Sequence, residues 1–355
     1  MKLLLQPLLI ILLLSIFCYG FPSSFFSSIL STFIHTKKIT KAKTTFDKRR
    51  GVKRRQCNDF TMCQLVGMNC ATPTDFCFSF RGLRERGGRT DAHKDGWGVA
   101  FYEGKGVRIF LDSLPSCESP VANLIANYPI KTLNCIAHIR LATQGEVKLE
   151  NVHPFRREQW GKYWTFAHNG DIPFFKVDNS YSFEGQKHIP VGDTDSEACF
   201  CYMLNHLLEA FPCGRPSKAQ LYNKLLEICR TLVGADEDGA ILNFLLSNGE
   251  FMFAGCWSGS RPGSTVFNGL HYVVREPPFT LASLADCDYT IDFAEVTAPE
   301  DRVSVVATLP LTVDETWCEL ERGDLYVFQD GRPFINGEEW EQYDPHTESL
   351  SAFSK

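Results

Sequence analysis

From residue 63 onward, apolar and polar residues alternate in short runs, and two longer stretches repeat with helical spacing. Residues 63–69 (CQLVGMN) read as a short strand opening a domain. Residues 96–104 (GWGVAFYEG) and 107–113 (VRIFLDS) predict a hairpin turning at Gly104–Gly106. Residues 133–139 and 163–167 are strand-like, the second directly before His168-Asn169-Gly170-Asp171. Residues 195–211 carry apolar positions at helical period behind a Thr194-Asp195-Ser196 capping cluster, and residues 218–233 predict a second amphipathic helix. Residues 239–257 read as two strands about the Asn248–Gly249 turn, with further strands at 271–274 and 303–307. Hairpins interrupted by a block of two helices predict an α+β fold with antiparallel pairing, rather than a doubly wound sheet.

The first 62 residues have a different texture. Lys2 precedes an apolar run that ends in small or turn residues near Gly20, so residues 1–20 read as a signal-peptide-like segment, with an uncleaved anchor as the alternative. Residues 21–62 form a linker that turns basic from Lys37 to Arg55, either a solvated face or a processing site. Residues 1–55 hold eleven Lys and Arg against Asp47, a net of +10, so the remainder carries −16 within the total of −6. An acidic body excludes nucleic acid as the main partner, because phosphate binding needs a basic face. The folded domain is expected over 63–340, followed by a polar tail over 341–355.

Of fourteen cysteines, twelve lie from Cys63 onward, with no CxxC pair and no metal-ligand spacing. In a chain long enough to bury a core, most are expected to act as small buried hydrophobes rather than as a disulfide framework. No Gly-rich phosphate loop is present, and nothing in the sequence indicates a metal, nucleotide or flavin.

Candidate chemistry begins at Met62-Cys63. A thiolate is a strong nucleophile that needs a base, and a cysteine at the start of a chain can use its own α-amine, which titrates near ~8. Taken alone, the residue reads as a core thiol. Arg140, in Ala137-His138-Ile139-Arg140-Leu141-Ala142-Thr143-Gln144-Gly145, offers a planar fork for a carboxylate at a strand end, or forms a surface ion pair. Asn169-Gly170 could aim a side-chain amide and a backbone N–H at one oxygen, or form a plain turn. Gly192-Asp193-Thr194-Asp195-Ser196-Glu197 is an acidic helix cap that could also hold an ammonium.

The order of these pieces carries more than any one of them. Cys63, Arg86-Gly87, Asp95-Gly96-Trp97-Gly98, the Arg140 segment, Asn151-Val152-His153-Pro154-Phe155, the Asn169 segment and the Asp195 segment follow one another along the chain. Over roughly residues 63–340 this resembles the class II, N-terminal-nucleophile glutamine amidotransferases. It looks closest to their stand-alone bacterial members and to the related subunit of a fungal glutathione-degrading complex.

The resemblance implies a four-layer α/β/β/α sandwich of two antiparallel sheets. It implies Cys63 as nucleophile, Asn169 and Gly170 as oxyanion hole, and Arg86, Arg140, Thr143 and Asp195 as substrate contacts. His153 matches a structural position without a catalytic task. The implied activity is cleavage of a γ-glutamyl amide, in glutamine or a glutathione-like molecule, through a thioester and without a cofactor. The implied partners are that small substrate, a separate ammonia-accepting or peptidase subunit, and a second copy of the chain.

In that family the cysteine is the first residue of the mature protein. Translation from Met62 would expose it and place the protein in the cytoplasm. Use of the signal-like segment would send the chain to the endomembrane system or outside the cell, with Cys63 blocked. A catalytically silent γ-glutamyl-binding subunit or a secreted homologue is then the expectation.

Overall fold

The computed structural model describes residues 63–142, 145–175, 181–214, 216–234, 240–259 and 268–345. The signal-like segment, the basic linker, Thr143 and the end of the polar tail lie outside the described residues. The chain runs β1 (Gln64–Asp75), α1 (Cys77–Arg86), β2 (Trp97–Glu103), β3 (Gly106–Asp112), α2 (Pro120–Ile125) and β4 (Lys131–Ile139). It continues with β5 (Phe155–Gln159), β6 (Lys162–Asp171), α3 (Asp195–Ala210), α4 (Lys218–Val233), β7 (Ile241–Ser247) and β8 (Met252–Trp257). Last come β9 (His271–Arg275), β10 (Leu281–Ser283), β11 (Thr290–Asp292), α5 (Phe293–Val296), β12 (Val303–Ala307), β13 (Cys318–Glu319), β14 (Asp324–Gln329) and β15 (Arg332–Phe334).

Two large antiparallel sheets follow, one of seven strands ordered β13-β9-β12-β1-β4-β2-β3 and one of six ordered β15-β14-β8-β7-β6-β5, with β10 and β11 forming a small two-stranded sheet. Their period-two patterns explain the layering. Along β1, Val66, Met68 and Cys70 pack against Phe80 and Leu83 of α1 and Ala122 and Ile125 of α2. Leu65, on the opposite face, meets Leu245, Met252 and Ala254 of the second sheet. The sheets approach closely at Gly67, where a Cβ would lie 2.6 Å from Met252 Sδ. On the far side of the six-stranded sheet, Trp164, Phe166, Phe244 and Phe253 are covered by Phe200, Met203 and Leu207 of α3 and Leu221, Leu225 and Ile228 of α4. Phe166 and Phe200 stack with ring centres 5.2 Å apart. Each fully buried side chain of this kind contributes about 1.5–3 kcal/mol of transfer free energy. Helices, sheet, sheet, helices: the four-layer α+β sandwich is as expected.

The helix starts follow their caps. Thr194 accepts from the Glu197 N–H at the head of α3, and Ser217 and Gln220 form a reciprocal capping box on α4. Two expectations need extension. The opening strand continues past Asn69 to Asp75, through a register shift between Asn69 and Thr74 in its pairing with β4. The strand expected at 163–167 continues to Asp171, so Asn169 and Gly170 pair with Asn243 and Leu242 of β7 instead of forming a turn.

All twelve described cysteines are free thiols, six of them buried. Burial pushes Cys70 up to about 12 and Cys201 up to about 11, so these remain protonated and inert at neutral pH.

Candidate active site

Strand alternation alone aims three of the expected residues into one space. Cys63 shares its face of β1 with Leu65, Arg140 continues the face of Ile136 on β4, and Asn169 shares its face of β6 with Ala167. Leu65, Ile136 and Ala167 all belong to the apolar layer between the sheets. The pairing Gln64↔Ile139 then sets Cys63 beside Arg140, and Asn169 arrives from the other sheet. Its Nδ2 donates to the Cys63 carbonyl at 2.5 Å.

The thiol is held by the segment after β4. Leu141 N–H points at Cys63 Sγ at 3.1 Å, and the Leu141 carbonyl lies 3.3 Å from the same sulfur. An N–H aimed at sulfur favours negative charge there. Ala142 N–H donates in turn to Asp95 Oδ2 at 2.7 Å, which anchors the segment to the start of β2.

Arg140 is buried and donates to the carbonyls of Glu146 and Gly145, at 2.9 and 3.3 Å. Burial pulls its guanidinium below the ordinary arginine value, and the charges of Cys63 and Asp95 oppose that shift. Gly145 closes the turn at φ +69°, a conformation that a side chain would strain. Gly170 is needed for a different reason, since a Cβ there would fall 1.8 Å from the Ile241 carbonyl oxygen of the adjacent strand.

Asp195 opens α3, where its Oδ2 accepts from Ile172 N–H at 2.9 Å, tying the helix start to the end of β6. His168 binds Ser196 Oγ at 2.9 Å and reinforces the same junction. Arg86, expected among the substrate contacts, reaches Gln64 Oε1, Asp286 and the carbonyls of Leu309 and Pro310. It steadies the residue next to Cys63. Thr143 is not among the described residues.

Two supports had no task assigned from sequence. Asn151 accepts from Asp193 N–H at 2.9 Å and donates to the Glu146 carbonyl at 3.1 Å, so one side chain links the turn under Arg140 to the approach of Asp195. Glu197 is buried, pairs with Arg157 at 2.6 Å and accepts from the N–H groups of Val191 and Gly192. Their partners are mostly backbone N–H and carbonyl groups, three of them five or six positions away and two, Asp193 and Arg157, about forty, and residue type does not reveal those. Among the described residues, no cluster of three or more His, Cys, Asp or Glu is arranged to hold a metal.

Below the site lie His138 and His153, with ring centres 4.2 Å apart. Burial lowers both well below the ordinary histidine value, and the Arg140 charge adds to it. They are neutral when folded and take up protons when unfolded below pH ~6.5. Their stabilising effect is therefore complete above that pH and is lost as pH falls, with a slope approaching about 1.4 kcal/mol per pH unit for each ring. Urea unfolding at pH 7.5 and 5.5 should show this loss, and replacing both histidines with glutamine should flatten it.

If Asn169 stabilises an oxyanion, Asn169→Ala should lower kcat by about 10²–10³-fold. The loss should fall on kcat with little change in KM. A loss confined to KM would assign Asn169 to substrate binding instead.

Known proteins resemble this chain in sequence and fold. The sequence profile of the class-II glutamine amidotransferases matches residues 62–351. A Haemophilus influenzae protein, provisionally named a glutamine amidotransferase, is 45% identical over 76% of this chain and 85% of its own. YafJ of Escherichia coli, also provisionally named, is 44% identical over 75% of this chain and 97% of its own. The crystal structure of a predicted glutamine amidotransferase from Pseudomonas aeruginosa superposes with a TM-score of 0.57 at 37% identity, over 77% of this chain and 99% of that one. With the likeness extending across the whole sandwich and nearly the full length of these relatives, the chain belongs to the class-II glutamine amidotransferases.

Proposed function

We propose that this protein hydrolyses a γ-glutamyl amide, in glutamine or a glutathione-like molecule, with Cys63 as the nucleophile. The observation that carries this reading is the meeting of Cys63 and Asn169 from different sheets, with Asn169 Nδ2 2.5 Å from the Cys63 carbonyl. That contact uses one hydrogen of an amide nitrogen that carries two. The other, together with the Gly170 N–H, supplies the oxyanion contacts. Asn169 Oδ1 has no partner among the described residues, so it offers an acceptor for an ammonium close to Cys63.

In the proposed sequence, the α-amine of a chain beginning at Cys63 takes the thiol proton. The thiolate attacks the side-chain amide carbon, and the tetrahedral oxyanion rests on Asn169 and Gly170. The protonated amine then gives its proton to the leaving nitrogen, so that ammonia or an amine departs and a γ-glutamyl thioester remains. Water, deprotonated by the same amine, releases glutamate and restores the thiol. Arg140 takes the substrate α-carboxylate and Asp195 its α-ammonium, so the site reads both charges of the glutamyl head.

Labelling with an electrophilic glutamine analogue, followed by peptide mass mapping, tests the reading. The label should sit on Cys63 alone and be suppressed by excess glutamine. A label spread over other thiols, or none on Cys63 in a protein that still binds glutamine, would favour a silent γ-glutamyl-binding subunit.

A further inference from the structure

We propose that His168 is a positioning residue for substrate binding: through the Ser196 hydroxyl it keeps one oxygen of Asp195 open for the substrate α-ammonium. The proposal rests on the reading of Asp195 given above and adds what leaves that carboxylate an oxygen to offer. His168 lies one place before Asn169 on β6 and so points to the other face of the strand, toward α3. It shares that face with Phe166, whose ring stacks on it with centres 6.3 Å apart. His168 is 1% exposed and Ser196, in the first turn of α3, is 7% exposed. Asp195 beside it is only half-buried, so the group that meets the substrate is the accessible one.

A single hydroxyl proton decides the matter. Asp195 Oδ2 is committed to the Ile172 N–H at 2.9 Å. Among the described residues, the hydroxyl that reaches Asp195 Oδ1 is that of Ser196, at 3.4 Å. The same hydroxyl lies 2.9 Å from His168 Nδ1. It has one proton to give, to the ring or to the carboxylate. The far side of the ring sets the choice. His168 Nε2 lies 3.1 Å from the carbonyl oxygen of Ile241, at the start of β7. A carbonyl can only accept, so Nε2 carries the ring proton, and in the neutral ring Nδ1 is left as an acceptor. The Ser196 proton goes to Nδ1 over the shorter distance, and the chain of bonds from β7 stops short of Asp195. A carboxylate with one tied and one open oxygen has a fixed orientation and an unshared charge, which suits an ammonium. Without the ring acceptor, the hydroxyl would turn to Oδ1, occupy a lone pair there and spread the charge that the ammonium needs.

Calorimetric titration of the full chain with glutamine and with glutaramate, which keeps the carboxylate and the amide but lacks the α-ammonium, tests this. His168→Gln keeps a donor for the Ile241 carbonyl but offers no acceptor to Ser196. It should weaken glutamine binding about tenfold and leave glutaramate binding as it was. Ser196→Ala removes the hydroxyl from the reach of Asp195, so it should bind glutamine at least as tightly as the parent. The two changes together should regain the affinity that His168→Gln loses, because the proton that would reach Asp195 is gone. A merely structural role for His168 gives the opposite pattern, a loss that falls on both ligands and that Ser196→Ala does not relieve. Urea unfolding shows that each variant is folded, and Ser196→Ala can overturn the proposal by itself if His168→Gln does not fold. The proposal is overturned if Ser196→Ala alone weakens glutamine binding about tenfold, if folded His168→Gln binds glutamine like the parent, or if the double variant stays as weak as His168→Gln. A parent that binds glutamine no better than glutaramate would instead remove the ammonium role of Asp195, and with it the reading on which the proposal rests.

Discussion

Replacing Cys63 with alanine should lower γ-glutamyl amide hydrolysis by about 10⁴-fold or more, because loss of a nucleophile removes the covalent route altogether. Glutamine binding should survive, since Arg140 and Asp195 are held by groups other than the thiol. Arg140 rests on the carbonyls of Glu146 and Gly145, and Asp195 on the Ile172 N–H. Calorimetric titration with glutamine beside an ammonia-release assay separates the two effects. Turnover retained within tenfold would remove Cys63 from the chemistry. Lost binding would mean that the thiol helps to shape the pocket.

The second large effect concerns the amine. A protein whose chain begins at Cys63 has an α-amine next to the thiol, and one with residues 1–62 attached has an amide there. General base catalysis contributes about 10²–10⁴-fold, so the extended form should be slower by that factor. Binding should change little. In the processed form kcat/KM should rise with pH and level off above ~8, because the amine must be neutral to accept the thiol proton. Comparing the two forms, with the N-terminus of each verified by sequencing, decides the point. Equal rates would show that another group takes the proton.

Much of the fold was legible where burial and periodicity agree. The hairpin of β2 and β3, the helices α3 and α4, and the pair β7 and β8 all have one apolar face or a continuous apolar run. Where polar groups are buried, the pattern fails. Glu85 and Arg86 are buried at the end of α1, a helix absent from the periodicity reading. Gly82 in its middle lies close to Leu284, so a poor helix former stays there for packing. Past Asn69, Thr72-Pro73-Thr74 reads as a break, yet cross-strand partners hold β1 extended to Asp75.

The site divides in the same way. Motif order singled out Cys63, Arg140, Asn169 and Asp195, and strand alternation explains why the first three share one space. As a dipeptide, Asn169-Gly170 favours a turn, but pairing with β7 overrides that preference. Arg86 was legible as a residue near Cys63, but its Asp286, Leu309 and Pro310 partners are about two hundred positions away and leave no local trace.

Asn151 has a consequence for selectivity by length. By bonding to both Glu146 and Asp193, it ties the turn that holds Arg140 to the segment leading into Asp195. Two opposite charges set at a fixed span act as a gauge. With Arg140 and Asp195 in the proposed roles, an α-amino acid should fit because its carboxylate and ammonium share one carbon, and a homologue with an extra methylene between them should not. Whatever hangs from the γ-amide lies outside the gauge. On the proposed function, the outer half of the pocket is therefore free to diverge and take a new leaving group, while the half assigned to the glutamyl head stays the same.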